Sequence, residues 1–351
     1  MNGPPVVSVV VPCYNYGRYL PDCISSITTQ EGVRTRILII DDCSTDDSAD
    51  VGFRLSQQHE DVEFRRHEVN QGHIATYNEG LLGWADGEYV TLLSADDELT
   101  PGSLSRSVRI MESNPTVGMV YGGIEEFGEG MASTTSSRGP RGVRVYGRQS
   151  WLRKRCLEGV NVVPTPGTIL RTSVQTSAGG YDPVLTHAGD FDMWLRVAAI
   201  ADIGYVRGEP QGRYRLHDAS MSYGVYQDRF ADIAQRKLVF DSFFTRCRSA
   251  VAAAGIATER VYAGMASQSL WWACRFYEKS AQPDFAEVAR CIQVAEDTYP
   301  EFRTLRAYRA LQRRQRLGAA FCSRTQLFVV TAVVRKLQNL RWWFRWRRYG
   351  G

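Results

Sequence analysis

Apolar runs and amphipathic stretches alternate along residues 6–121 of the chain. Short apolar runs, many of them β-branched, predict buried strands, whereas apolar positions three and four residues apart predict helices. The predicted strands cover residues 6–11, 36–40, 62–66, 89–93 and 117–121, and the predicted helices cover 19–29, 46–59, 74–85 and 103–113. Because the strands are continuously apolar and separated by helices, we predict an α/β fold with a mainly parallel sheet flanked by helices.

The pattern changes after residue 125. Residues 127–144 are rich in Gly, Ser and Thr and lack apolar periodicity, which indicates a loop. Further elements are predicted at 151–159 (helix), 168–171 (strand), 192–200 (helix) and 205–214 (strand). From residue 226 onward the pattern is helical, with interruptions near Pro283 and Pro300. We therefore predict a domain at 1–224 and a helical C-terminal region at 225–351 that ends in a basic, aromatic tail.

Charge is distributed unevenly along the chain. The formal net charge is +4, yet residues 302–351 hold thirteen Lys or Arg residues and no Asp or Glu. A net-negative body thus carries a basic arm, and such asymmetry indicates a separate interaction. The eight cysteines are scattered singly, which favours reduced thiols in the cytoplasm over a zinc knuckle or a disulfide framework. No apolar run reaches the roughly 20 residues of a membrane span, and the N-terminus is predicted to be the first strand, not a signal peptide.

Polar runs follow several predicted strands, at the edge where open parallel sheets bind ligands. Asp41 and Asp42 follow the second strand and can accept hydrogen bonds from a base or ribose; a turn or helix cap explains them as well. Asp96 and Asp97 follow the fourth strand. Two adjacent carboxylates repel each other unless a cation neutralises them. The pair therefore indicates Mn²⁺ or Mg²⁺ bound together with a diphosphate, with a helix cap as the alternative.

The segment VNQGHIATYNEG places Asn70, Gly72 and Asn78 at a turn that leads into a helix. Backbone amides at such a turn offer a place for phosphate or sugar, and a plain loop-to-helix junction explains the segment equally well. The chain lacks a Gly-x-Gly-x-x-Gly fingerprint and a Walker loop. Their absence argues against a dehydrogenase or a P-loop nucleotidase.

A second pair of carboxylates, Asp190 and Asp192, precedes an amphipathic helix in HAGDFDMWLR. One of them can cap the helix, while the other suggests catalysis, because a carboxylate can act as the base that takes a proton from a hydroxyl. His217 follows a strand-like run in YRLHDASMS. A lone histidine is more often structural than a ligand, and a metal or phosphate contact is the alternative.

Taken in order, these runs resemble the family 2 glycosyltransferases. The resemblance covers about residues 6–222, through VSVVVPCYNYGRYLPDCISSI, ILIIDDCSTDDS, NQGHIATYNEGL, GEYVTLLSADDELTPGSL, GGYDP, GDFDMWLRVA and YRLHDASMS. It implies a GT-A type nucleotide-diphospho-sugar transferase fold. It also implies inverting, metal-dependent transfer of a sugar from a nucleotide-diphosphate donor to a hydroxyl of a glycan or lipid-linked acceptor, with Mn²⁺ or Mg²⁺ as cofactor.

The resemblance assigns roles to individual residues. Nucleotide-sugar binding falls on Pro12, Tyr14, Asn15, Asp41, Asp42, Asn70, Gly72, Asn78 and Asp96. Metal binding falls on Asp96, Asp97 and His217, and the catalytic base is Asp190. The chain departs from the family pattern at Ser94, where Asp is frequent, at Gly189, where Glu commonly precedes the base, and at Thr76–Tyr77, where Ala-Arg is frequent. The metal site therefore depends on Asp96 and Asp97, and one acceptor-site carboxylate is missing.

Three further segments receive provisional assignments. Residues 160–182 are assigned to the acceptor pocket, with scaffolding as the alternative for the turn at 164–167. The loop at 128–142 is interpreted as an ordinary surface loop, with a substrate lid as the alternative. The tail combines Arg and Lys with Trp342, Trp343, Phe344, Trp346 and Tyr349. This composition fits a helix on the anionic cytoplasmic face of a membrane or a solvated helix whose aromatics pack on the body, and nucleic-acid binding is disfavoured.

Two other functional classes stay open. A non-catalytic sugar-nucleotide or glycan-binding protein is suggested by Ser94 and Gly189. A sugar nucleotidyltransferase also uses carboxylate-bound Mg²⁺, but CYNYGRYL lacks the Gly-rich, basic signature that a triphosphate substrate requires. The sequence leaves the donor, the acceptor, the linkage position and the oligomeric state open.

Overall fold

The computed structural model describes residues 3–128, 134–135, 141–217 and 228–325, together with 328, 333, 334, 337, 340 and 341. The strands are β1 Val6–Cys13, β2 Arg34–Asp41, β3 Val62–Arg66, β4 Tyr89–Leu92, β5 Glu98–Leu99, β6 Val117–Phe127, β7 Thr134–Thr135, β8 Gly142–Tyr146, β9 Ile169–Arg171 and β10 Asp202–Arg215. Helices that precede residue 201 are α1 Leu20–Thr28, α2 Ser48–Gln58, α3 His73–Asn78, α4 Ser103–Ser113, α5 Arg148–Glu158, α6 Thr172–Ala178 and α7 Gly189–Ile200.

The strands form one mixed sheet in the order β3-β2-β1-β4-β9-β6-β10-β5, with β7 on β6 and β8 on β10. β1 pairs in parallel with β2 and β4, and β2 pairs in parallel with β3. β9 runs antiparallel between β4 and β6, and β10 returns parallel to β6. The predicted α/β sheet flanked by helices is therefore confirmed.

The central strands are buried on both faces because helices cover both faces. Alternate residues of a strand point to opposite sides, and the two sides belong to two separate apolar clusters. Val9 and Ile37 pack with α1 and α4 in one cluster, whereas Val10 and Leu38 pack with α3, α5 and α7 in the other. Each fully buried aliphatic side chain contributes about 1.5–3 kcal/mol, so the β-branched runs supply much of the stability of the domain.

Some elements differ from the sequence prediction. The helix predicted at 74–85 begins at His73 and continues as a π-helical turn at Glu79–Trp84. The loop predicted at 127–144 contains β7 and the beginning of β8. β8 alternates Val and Arg with exposed side chains, so its local sequence lacks an apolar run, and only its antiparallel pairing with β10 makes it a strand.

Helices follow in the C-terminal region: α8 Arg229–Arg246, α9 Arg248–Ala253, α10 Thr258–Lys279, α11 Phe285–Thr298, α12 Arg306–Leu317 and α13 Ala319–Arg324. The α8 side chains Ile233 and Phe240 join the same apolar cluster as Phe191 of α7. Helices α10, α11 and α12 bury a cluster of their own. The predicted boundary at 224/225 falls outside the described residues. Among the described helices, none is long and apolar enough to cross a bilayer.

A buried ion pair holds α12 against α10. Arg314 Nη2 lies 2.7 Å from Glu278 Oε1, and the side chains are 3% and 12% exposed. Replacing Arg314 with Ala should therefore lower the free energy of unfolding by about 3–5 kcal/mol, because the buried Glu278 carboxylate loses this ion pair. Urea unfolding measures the loss. Replacing the exposed Arg313 with Ala is the control, and an equal loss in both variants would contradict the assignment.

Candidate active site

A cleft of about 370 Å³ opens at the edge where the parallel strands end. This is the edge at which open α/β sheets bind ligands. One wall follows β4 and carries Ser94, Asp96 and Asp97, and another begins α7 with Asp190. Other residues that line the cleft are His73 and Tyr77 of α3, Glu126 of β6, Tyr214 of β10, Tyr16, Tyr181, and Asn161 and Val163–Pro166 of the segment before β9.

The loops after β1 and β2 are joined beside this edge. Asn15 has a left-handed backbone with φ 59°, which asparagine tolerates better than most residues. Its Oδ1 accepts hydrogen bonds from the Thr45 amide at 2.8 Å and the Thr45 hydroxyl at 3.2 Å. The Pro12 carbonyl accepts from the Ala95 amide at 3.3 Å, and the Tyr14 side chain is exposed. Of the predicted nucleotide contacts, Tyr14 and Asn15 thus lie in the loop after β1, and Pro12 lies near the end of β1 itself.

The two acidic residues after β2 have different surroundings. Asp42 accepts from the amides of Gln71 and Gly72, both at 2.8 Å, and lies 2.7 Å from Nδ1 of His67. It therefore anchors the loop that carries Asn70 and Gly72. Asp41 is fully buried. Among described atoms its Oδ1 has no hydrogen-bond partner, so this oxygen can accept from a ligand.

Asn78 has a structural position. Its Nδ2 donates to the Tyr181 carbonyl at 2.9 Å, and its Oδ1 accepts from the Tyr181 amide at 2.6 Å. Both polar ends of the side chain are therefore used, and Asn78 is not among the residues that line the cleft. The predicted donor contact of Asn78 is not supported by this geometry. We assign Asn78 instead to holding Tyr181, which contacts Asp190.

Asp96 and Asp97 lie side by side at the cleft, both buried. Burial, together with the charge of Asp96, holds the pKa of Asp97 well above its ordinary range. The Arg215 amide donates to Asp97 Oδ1 at 3.0 Å, and Arg215 Nε donates to the Asp96 carbonyl at 2.9 Å. His217 Nε2 lies 3.0 Å from Asp96 Oδ2. The structure thus brings the three predicted metal ligands to one end of the cleft.

The donor set is suited to a divalent cation that also binds phosphate. In the described part of the chain, no group of three or more His, Cys, Asp or Glu side chains forms a complete protein site. Mg²⁺-type sites, however, use one or two carboxylates and take their other ligands from substrate phosphates and water. Asp97, whose pKa is raised by burial and by the neighbouring Asp96, is a carboxylate whose crowding such a cation would relieve. The residues therefore fit a metal shared with a diphosphate.

Asp190 lines the same cleft from the first turn of α7. Thr165 Oγ1 donates to Asp190 Oδ2 at 2.7 Å, and the Tyr181 hydroxyl donates to the same carboxylate. Burial raises the pKa of Asp190, and these two hydrogen bonds offset the increase only in part. A carboxylate with a raised pKa is a stronger base, which suits proton removal from an acceptor hydroxyl.

Asp192 points into the protein. It is fully buried, and its Oδ2 lies 2.8 Å from Nε of Arg196. It does not line the cleft. Of the two carboxylates in HAGDFDMWLR, only Asp190 therefore faces the substrate space, and Asp192 stabilises α7 from within.

Comparison with known proteins agrees with this architecture. Residues 8–169 match the model of the family described as glycosyl transferase family 2. The chain carries a family 2 glycosyltransferase domain. The motifs after β1, β2 and β4, with the cleft residues Asp96 and Asp97, all fall within the matched range.

Several curated relatives of this glycosyltransferase domain are themselves described as glycosyltransferases. An uncharacterized glycosyltransferase of Nostoc sp. is 37% identical over 33% of this chain and 35% of the relative. The putative teichuronic acid biosynthesis glycosyltransferase TuaG of Bacillus subtilis is 34% identical over 31% and 43%. Poly-beta-1,6-N-acetyl-D-glucosamine synthase of Staphylococcus epidermidis is 32% identical over 33% and 28%. The matches span less than half the length of each of these relatives.

Solved structures confirm the predicted GT-A fold. Residues 1–349 of TarS from S. aureus, in complex with UDP-GlcNAc, superpose with a TM-score of 0.55 over 85% of this chain and 91% of that one. The sequence identity is 14%, so the likeness is one of fold. It extends past the family 2 glycosyltransferase domain into the C-terminal helices.

Several site residues could not be recognised in the sequence. Arg215 ties Asp96 and Asp97 to β10, and its only local signal is an alternation of Arg and Tyr in RYR. Tyr181, which holds Asp190, lies in the GGYDP run that carried the family resemblance. Glu126 lies on the cleft near the end of β6, beyond the strand predicted at 117–121. The lid assignment for 128–142 falls mostly outside the described residues.

Proposed function

We propose that this protein is an inverting, metal-dependent glycosyltransferase that uses a nucleotide-diphosphate sugar. The observation that carries the proposal is that Asp96 and Asp97 share one cleft with Asp190. An acidic pair suited to a cation and diphosphate is thus combined with a separate carboxylate that is suited to take a proton. Both are needed for sugar transfer with inversion.

In the proposed reaction, the acceptor oxygen forms a bond to the anomeric carbon as the bond from that carbon to the diphosphate oxygen breaks. Asp190 takes the hydroxyl proton, and Thr165 and Tyr181 orient the carboxylate. Asp96, Asp97 and His217 would hold Mn²⁺ or Mg²⁺, which supplies neutralisation of the charge on the leaving diphosphate. Arg215 holds the Asp97 carboxylate through its amide and the backbone of Asp96 through its Nε.

The donor is proposed to lie along the ends of β1 and β2. Tyr14 is exposed for contact, Asn15 joins the two loops, and Asp41 has a free buried oxygen among described atoms. Asn70 and Gly72 border the same edge through their link to Asp42. The complex of TarS with UDP-GlcNAc supports a nucleotide sugar as the donor class, and it leaves the base and the sugar of this donor open.

The acceptor is proposed to be a glycan or a lipid-linked glycan. Asn161 and the turn at Pro164–Pro166 line the cleft near Asp190, which supports the assignment of 160–182 to the acceptor side. TuaG is described as acting in teichuronic acid biosynthesis and another relative as a polysaccharide synthase. These relatives support a role in making cell-envelope polysaccharide or glycolipid.

A donor panel tests the proposed function. The purified protein is incubated with UDP-, GDP-, ADP- and CMP-sugars, with Mn²⁺ or with EDTA, and the release of free nucleotide is followed. We expect Mn²⁺-dependent release of a nucleoside diphosphate from one donor class, increased by a suitable acceptor. A sugar-nucleotide-binding protein would bind without release, and a nucleotidyltransferase would release pyrophosphate from a triphosphate, so either result would overturn the proposal.

We also propose peripheral contact with an anionic membrane through the C-terminal region. Among the described residues, Arg306, Arg309, Arg313 and Arg316 are exposed on α12, and the apolar side chains of Phe321 and Leu337 are about half exposed. The aromatic residues 342–349 lie outside the described part. Basic residues near an anionic surface each contribute about 1 kcal/mol.

Replacing Trp342, Trp343 and Trp346 with Ser in the full chain should therefore abolish flotation with vesicles that contain phosphatidylserine. Wild type should float with these vesicles and not with phosphatidylcholine alone, and the interaction should weaken at high salt. The control is Phe53→Ser, which removes an exposed aromatic side chain elsewhere on the surface. A buried tryptophan such as Trp84 is unsuitable, because its loss would disturb the core. Equal flotation of wild type and the triple variant would remove the membrane proposal.

A further inference from the structure

His67 forms a clamp that is separate from the metal and base residues. Its ring is buried between two carboxylates, with Nδ1 2.7 Å from Asp42 Oδ1 and Nε2 2.9 Å from Glu79 Oε2. Ionised carboxylates only accept hydrogen bonds, and a neutral imidazole has a single N–H. Both contacts are therefore satisfied together only when the ring is protonated.

The clamp closes a segment that faces the cleft. His67 follows β3 and Glu79 follows α3, so the ring joins the two ends of residues 67–79. Between these ends lie the amides of Gln71 and Gly72, which donate to Asp42, and the α3 side chains His73 and Tyr77, which line the cleft. The His67 amide also donates to the Asp41 carbonyl at 2.9 Å. One ring thus fixes the whole segment to the end of β2.

We propose that protonated His67 is a positioning residue for the donor, holding residues 67–79 against β2 in the conformation that binds the nucleoside diphosphate. The inference rests on the proposed donor site and names a residue that controls its affinity. His67 does not line the cleft, so it acts through Asp42 and α3.

The clamp has a defined pH dependence. Burial by itself lowers the pKa of His67, but the hydrogen bonds to Asp42 and Glu79 outweigh burial and raise it above 6.5. The charged groups around the ring are Asp42 from β2 and Glu79 from the π-helical turn, with Arg65 of β3 paired to Glu79 and Arg66 paired to Asp41. A raised pKa means that the clamp is intact below pH 6.5 and is lost as the pH rises through the folded pKa.

Binding of UDP, GDP, ADP and CDP in the presence of Mn²⁺, measured by calorimetry across pH 6 to 9, tests the inference. For the diphosphate that wild type binds, we expect His67→Ala to weaken affinity about tenfold at low pH, the lower end of what orienting groups contribute. The decline in wild-type affinity with rising pH should be absent in this variant. Hydrogen exchange at Gln71 and Gly72 should also become faster without any ligand.

Glu79→Gln is the second variant, and it keeps the test valid if His67→Ala folds poorly. Gln retains an oxygen that accepts from Nε2 but removes the charge, so the pH at which affinity declines should move lower. His59→Ala, at the residue that follows α2, is the control. Failure of wild type to bind any of the four diphosphates overturns the proposed donor function. Diphosphate binding with equal affinity and pH profile in wild type, His67→Ala and Glu79→Gln overturns the role of His67 alone.

Discussion

Replacing Asp190 with Asn is expected to abolish sugar transfer while donor binding survives. A general base contributes about 10²–10⁴-fold to a rate, and Asn cannot accept the hydroxyl proton. Burial raises the pKa of Asp190 above its ordinary value of 3.8. The wild-type rate should therefore fall as the pH drops through this raised pKa, because the base becomes protonated. That acid limb should be missing from any residual activity of the variant. Transfer rates and calorimetric donor affinity, measured across pH, separate the two effects.

Asp192→Asn is the matched control two positions along the helix. Asp192 pairs with buried Arg196, so this variant should lose roughly 3 kcal/mol of stability. Its turnover per folded molecule should remain close to that of wild type. Near-wild-type transfer by Asp190→Asn would show that the base is misassigned, and loss of transfer in folded Asp192→Asn would point to Asp192.

Replacing Asp97 with Asn should remove metal-dependent donor binding. Groups that only orient metal ligands already contribute about 10–100-fold to metal affinity, so a direct ligand should cost at least that much. The metal-free variant should be no less stable than wild type, because a buried charge beside Asp96 has been removed. Mn²⁺ with the bound nucleoside diphosphate should raise the thermal unfolding temperature of wild type and not of the variant.

Asp86→Asn provides the comparison for Asp97→Asn. Asp86 is 67% exposed and pairs with Arg36 on the surface, away from the lining of the cleft. It should respond to Mn²⁺ and diphosphate as wild type does. An unchanged Mn²⁺-dependent affinity in Asp97→Asn would contradict the metal assignment.

Much of the sheet could be predicted because its strands carry their own signal. Residues 6–11 and 36–40 are apolar on both faces, and this occurs in a parallel sheet covered by helices on both sides. β5 and β8 carry no such signal, whereas β9 is the strand predicted at 168–171. β9 has three residues, and its antiparallel position between β4 and β6 depends on strands about 50 and 80 residues away in the chain. Such pairings are a property of the whole fold and not of a local window.

The acidic site residues could be predicted because chemistry restricts what adjacent carboxylates at a strand end can do. Their supporting residues could not. Arg215 lies 118 residues from Asp97 in the chain. His67 follows the strand predicted at 62–66, and no motif marks it. For Asn78, the place in a family motif suggested a ligand contact, and the structure shows its side chain bound to the backbone of Tyr181. The metal ligands, the catalytic base Asp190 and the donor contacts stay predictions.

The hydrogen bonds between Asn78 and Tyr181 join segments that lie 103 residues apart. Asn78 ends the helix beside the donor loop, and the Tyr181 hydroxyl donates to Asp190. The proposed donor segment and the proposed base are therefore linked through Asn78 and Tyr181. Transplanting residues 67–79 from a relative would change the contact with Tyr181 and so shift the proposed base. A chimera should therefore take the turn at 179–182 from the same relative.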